Sequence, residues 1–141
     1  MSHLYLIAQI AGRAVAIDSD QVESVVDIGE VTPVPRASST VRGLAALRSR
    51  VVTVVDTQSA LGLAGESDAR RAVITRVEGH HYAMLVDGLD DVAPFELMPL
   101  AGGVALDPAW RVAGRGVVER EGEPILAIDL ASLVPGHAPL N

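Results

Sequence analysis

The same interval of 14 positions separates Arg42 from Asp56 and Arg115 from Asp129. In both places the arginine is followed by a glycine (Gly43, Gly116) and an apolar run; a polar segment interrupts the run, which resumes and ends on the carboxylate. Such a unit spells two strands joined by a turn, with a final Asp able to accept hydrogen bonds from the first amides of a short helix. A chain of 141 residues that uses it twice is constrained to a duplicated β architecture.

The remaining sequence supports the duplication. Residues 4–10 and 13–17 flank Ala11-Gly12, a hairpin signal. Residues 72–77 and 82–86 flank the Glu78-Gly79-His80 turn in the same manner, and Val92 behind Asp87 reads as the counterpart of Val22 behind Asp18. Asp18-Ser19-Asp20-Gln21 predicts a capped short helix running through Val25. Pro33 and Pro35 predict an edge or an extended connector, because proline cannot donate to a central ladder. Residues 56–61 read as a capped helical turn, residues 64–70 as an internal linker, and the segment from Pro94 through Pro108 as an irregular crossing. Asp18, Asp56, Asp87 and Asp129 each end an apolar strand, a position better explained by capping and turn formation than by catalysis.

Apolar residues make up 49% of the chain and aromatics only 3%, so Val, Leu, Ile and Ala must fill the core. The abundance of β-branched residues favours strands. Val51, Val54, Leu85, Ile125 and Ile128 are expected inside, and Trp110, the only tryptophan, reads either as a core anchor or as part of a partner face, the core being favoured because a core poor in aromatics gains much from it. The length suits one domain that needs no staple. With no cysteine there is no disulfide framework, thiol catalysis or thiolate metal site, which fits a reducing compartment and makes cytoplasmic location the expectation. The first ten residues lack a basic leader region and read as a strand, and no apolar run reaches membrane-spanning length, so no direct membrane insertion is expected.

The net charge of −7 argues against nucleic acid as a partner. Arg36, Arg42, Arg48 and Arg50 nevertheless fall in a stretch without any acid, which reads either as a solvated strand face or as a positive contact patch. His80 and His81 point to opposite faces if they lie on a strand, and His3 and His137 lie near the ends, where fraying is expected, so no metal site is expected. Asp90-Asp91 has no accompanying nucleophile or oxyanion donor, and Gly102-Gly103 has no phosphate-binding lysine. No catalytic residue and no cofactor are expected, and the chain does not read as an enzyme.

Arg42, Gly43, Leu44, Leu47, Arg48, Val51, Val54 and Asp56 match the pattern R-G-hydrophobic-x-N-L-R-G-x-V-x-P-V-x-D-L. Thr32-Pro33-Val34-Pro35 precedes them, and Val86-Asp87 and Ile128-Asp129-Leu130 follow. In these residues the chain resembles the CheW family of bacterial chemotaxis coupling proteins over roughly residues 4–134. The resemblance implies an all-β fold of two small five-stranded SH3-like β-barrels around a shared hydrophobic core, with short helices. It places a single domain over residues 1–135, the first barrel over roughly 11–66, the second over roughly 67–135 plus the N-terminal strand, and a tail over 136–141.

The function so implied is a non-enzymatic signalling adaptor that couples chemoreceptors to a CheA-type histidine kinase in a bacterial chemosensory array. The kinase regulatory domain would meet the barrel ends, and the chemoreceptor cytoplasmic tip a groove at the seam between barrels. Arg48 and a helix-borne Val22 carry over as receptor contacts and Gly43 as a position sensitive for kinase coupling; Arg42 and Ser24 complete the implied partner-binding set. Ala46, Ser49, Thr53 and Thr57 depart from the family's usual Asn, Gly, Pro and Leu. Ser24 stands where a glutamate often pairs with the motif arginine, so Arg48 is expected to be accessible near the seam and unpaired unless Glu23 or Asp27 substitutes. The alternative is a small-molecule or peptide-binding β-barrel module of another signalling pathway.

Overall fold

The computed structural model describes residues 2–35, 39–48, 50–63, 69–99 and 113–134. Trp110, Gly102, Gly103, Pro108, His137 and most of the expected linker lie outside them. Among the described residues ten strands run in order: β1 His3–Ile10, β2 Arg13–Asp18, β3 Ser24–Asp27, β4 Val41–Leu47, β5 Arg50–Val55, β6 Arg71–Val77, β7 His80–Val86, β8 Gly88–Phe95, β9 Gly114–Arg120 and β10 Glu123–Ile128. Helical elements that lie wholly within the described residues are α1, Thr57–Ala60, and the 3-10 turns at Ser19–Gln21 and Leu130–Leu133.

The strands form two five-stranded sheets, the first ordered β8-β1-β2-β10-β9 and the second β3-β6-β7-β5-β4. The two orders are one topology used twice. A parallel pair, β2 with β10 or β7 with β5, lies at the centre of each, between antiparallel hairpins. The expected division near residue 66 does not describe these sheets. The β1–β2 hairpin joins strands from the second half of the chain, and β3 to β5 join the β6–β7 hairpin, so each sheet is built from both halves.

Strand periodicity explains how the two sheets share a core. Along β7, Ala83 and Leu85 belong to a cluster internal to the second sheet, while Met84 and Val86 point into a cluster common to both. Along β1, Tyr5 and Ile7 face the first sheet's own cluster, and Leu6, Ala8 and Ile10 the common one. Alternate residues of a strand face opposite sides, so burial of both faces requires an unbroken apolar run, as in Ala83-Met84-Leu85-Val86. Val54, Leu85, Ile125 and Ile128 are buried as expected. Val51 is not: at 63% exposed it lies opposite Ala46 on the outward face, one position out of phase with buried Val52.

Three local expectations also change. The helix after Asp18 stops at Gln21, and Ser24–Asp27 is an edge strand paired with β6, because the β-branched Val25 and Val26 extend along Val73 and Ala72. Pro94 lies within β8, tolerated because β8 is an edge strand. His3 is not frayed: it belongs to β1, with its Nε2 2.8 Å from Asp18 Oδ1 and its ring edge-on to Tyr5.

Candidate partner-binding site

The repeated Arg-to-Asp interval is an ion pair in both halves. Arg42 Nη2 lies 3.2 Å from Asp56 Oδ2, and Arg115 Nη2 3.7 Å from Asp129 Oδ1. Each arginine occupies a break in register, between the pairs Val41↔Val55 and Gly43↔Val54 or the pairs Gly114↔Ile128 and Gly116↔Ala127. A bulge of this kind turns the extra side chain out of the ladder. Both aspartates also cap: Asp56 Oδ1 accepts from Ser59 N at 3.2 Å, and Asp129 Oδ1 from Ala131 N at 3.2 Å. Asp18 accepts from Asp20 N, and Asp87 from Ala11 N in the β1–β2 turn, so all four strand-end carboxylates serve caps or turns. Arg42 is therefore partly committed to the fold.

Gly43 is buried and carries a φ of +146°. A Cβ there would lie 2.7 Å from the Thr32 carbonyl carbon and 3.0 Å from Pro33 Cα, and closer still to the Thr32 oxygen. Thr32 crosses at this point because its N–H and C=O bond Leu44, at 2.8 and 2.9 Å. Gly116 faces Met98, which bonds Val117, in the corresponding place. Gly43 thus shapes the joint between the connector after β3 and the edge strand β4, and presents nothing to a partner directly.

Arg48 and Ser24 come together. A groove of about 570 Å³ has the exposed β3 residues Ser24 and Val25 on one side, with Glu23 at its end. Leu47, Arg48 and Arg50 of the β4–β5 hairpin form the other side, over Ile74. Arg48 is exposed at a left-handed turn position of the hairpin (φ 55°). Among the described residues it has no ion-pair partner. Glu23 is engaged by Arg50 at 3.6 Å and His81 at 3.0 Å, and Asp27 by Arg71 at 3.1 Å, so neither substitutes for the missing glutamate.

Val22 caps the first 3-10 turn, rather than riding on a helix, and packs partly against the common core. It lines a second groove of about 330 Å³, walled by Gln21 and Ala131 on one side and by Thr75 and Val77 of β6 on the other. This groove lies where the sheets meet, and Glu23 borders both it and the Arg48 groove. Arg48 therefore sits beside the seam, within the second sheet. Sequence reasoning missed Gln21, whose side-chain amide donates to Asp129 Oδ1 and accepts from Leu130 N at 3.0 Å. It also missed the Glu23–Arg50–His81 cluster. These partners are remote in sequence, so no local pattern marks them.

Residues 4–137 match the model of the CheW-like domain. The chain is 26% identical over 127 residues to a chemotaxis protein CheW of Thermotoga maritima, covering 89% of this chain and 83% of that one. It is 33% identical over 111 residues to a chemotaxis protein CheW of Rhizobium meliloti, covering 75% and 70%. The crystal structure of the scaffolding protein TtCheW from Thermoanaerobacter tengcongensis has the same fold, with a TM-score of 0.83 at 19% identity over 99% of this chain and 98% of that one. The duplicated sheets, the Arg-Gly motif on its bulge and the match over residues 4–137 agree: the chain belongs to the CheW-like domain family.

Proposed function

We propose that this protein is a non-enzymatic, cytoplasmic adaptor that couples chemoreceptor tips to a CheA-type histidine kinase. The observation that carries the reading is Arg48: exposed, placed on a hairpin turn beside apolar Val25, and without an ion-pair partner among the described residues. Its guanidinium offers a planar fork of donors matched to a carboxylate, and the adjoining groove accepts the apolar face of a helix. Val22 extends the same surface to the seam. The kinase regulatory domain is assigned to the sheet ends, where Gly43 acts by keeping the Thr32 crossing in place. No helix among the described residues is long and apolar enough to cross a membrane.

The test is titration of wild type and Arg48→Glu against a soluble receptor-tip fragment and, separately, the kinase regulatory domain. Charge reversal removes the attraction and sets like charges together, so receptor affinity is expected to fall about tenfold or more, roughly 1.4 kcal/mol. The melting temperature is expected to stay put and kinase binding to change less. Unfolding of the variant would make Arg48 a structural residue, and two unaffected titrations would remove it from the receptor surface.

A further inference from the structure

We infer that Glu121 and Glu123 are specificity-determining residues that keep the partner of the Arg48 groove off the matching face of the first sheet. The inference rests on the reading of that groove as a receptor site. Duplication gives the molecule two faces of one design. Val25 pairs with Val73 on the edge of the second sheet, and Val92 pairs with Leu6 on the edge of the first, each related by a shift of 67 positions. The adjoining hairpins correspond by a shift of 73: Arg48 and Glu121 hold the same left-handed turn position, with φ values of 55° and 52°. This register pairs Val25 with Val92, and so corrects the earlier pairing of Val22 with Val92.

Both valines are exposed, 37% and 56%. The flanking acids Glu23 and Asp90 also match in position, and each is held by an arginine, though not an equivalent one: Arg50 holds Glu23, whereas Asp90 is held by Arg120, which stands where the second sheet has Leu47. What differs is the charge around them. Ser24, Arg48 and Arg50 on one face become Asp91, Glu121 and Glu123 on the other, and all six are exposed. An apolar helix with a carboxylate would meet a guanidinium fork at the first face and three carboxylates at the second. Discrimination between two similar surfaces commonly depends on such a repulsive element. Without it, the duplicated edge would offer the same partner a second, misplaced seat.

The experiment gives the full chain the mirror substitutions Asp91→Ser, Glu121→Arg and Glu123→Arg and measures stoichiometry with a soluble receptor-tip fragment by calorimetry and native mass spectrometry. Wild type is expected to bind one fragment and the triple variant two, the second within about tenfold of the first. A folded variant that still binds one fragment, beside a wild type that binds one, overturns the inference and leaves the groove reading intact. A wild type that already binds two also overturns it. A wild type that binds none overturns both readings. Should the triple variant not fold, Glu121→Arg alone decides the matter, because the turn already accommodates an arginine at Arg48. It is expected to show a weaker second binding event, and saturation at one fragment would refute the proposal.

Discussion

Replacing Gly43 by alanine tests the joint on which both the motif and the second sheet depend. A φ of +146° is strained for a residue with a Cβ, by roughly 1–3 kcal/mol. The new atom would lie 2.7 Å from the Thr32 carbonyl carbon, so the connector must retreat from β4. That retreat breaks the two hydrogen bonds between Thr32 and Leu44, at about 1 kcal/mol each. Gly43→Ala is therefore expected to destabilise the protein by about 3–5 kcal/mol, a large part of the stability of a domain this size. Gly116→Ala meets the same crowding, from Met98 and from Leu97 Cδ1 at 2.9 Å, without the φ penalty, so it is expected to cost roughly 1–3 kcal/mol less. Gly29→Ala, with nothing within 4 Å, serves as the control and is expected to stay within about 0.5 kcal/mol of wild type. Urea unfolding of the three variants gives the comparison directly. A Gly43→Ala midpoint equal to that of Gly29→Ala would refute the close crossing at Thr32.

Two further outcomes follow from burial. Val54→Ala and Ile128→Ala, in different clusters and both buried, are each expected to cost about 1–3 kcal/mol, whereas Val51→Ala on the outward face is expected to change stability by less than about 0.5 kcal/mol; equal effects at Val51 and Val54 would contradict the strand register. Tyr5 is held above the usual phenol value of 10.0 by burial first and by the Asp18 carboxylate second, with Arg115 opposing. The folded state then keeps a proton that the unfolded chain has lost, so stability is expected to fall as pH rises through and beyond 10. Absorbance titration is expected to place the Tyr5 midpoint above that of free tyrosine and to bring it down in Asp18→Asn. An unshifted midpoint would show the hydroxyl to be solvated.

How much of this was legible in the sequence depends on how far apart the partners lie. The Arg-Gly hairpins, their capping aspartates and the buried runs are local patterns, and the 14-position interval carried the ion pair and the duplication together. The split at residue 66 did not follow from any local pattern. Which sheet a hairpin joins is decided by the parallel pairs Val54↔Ala83 and Ala127↔Ala16, between residues remote in sequence and with no charge or turn residue to mark them. Val51 shows the same limit at smaller scale. In Val51-Val52-Thr53-Val54-Val55 every other residue faces the second sheet's own cluster, but Val55 turns to the core shared with the first sheet, so hydrophobicity alone cannot say which valine is left outside. The exchange of strands between halves has a functional corollary. Because β3 and the β4–β5 hairpin sit on strands supplied by β6 and β7, the Arg48 groove exists only once both halves have folded together. A fragment ending before β6 would keep every residue of the recognised motif and is expected to lose the surface that the motif serves.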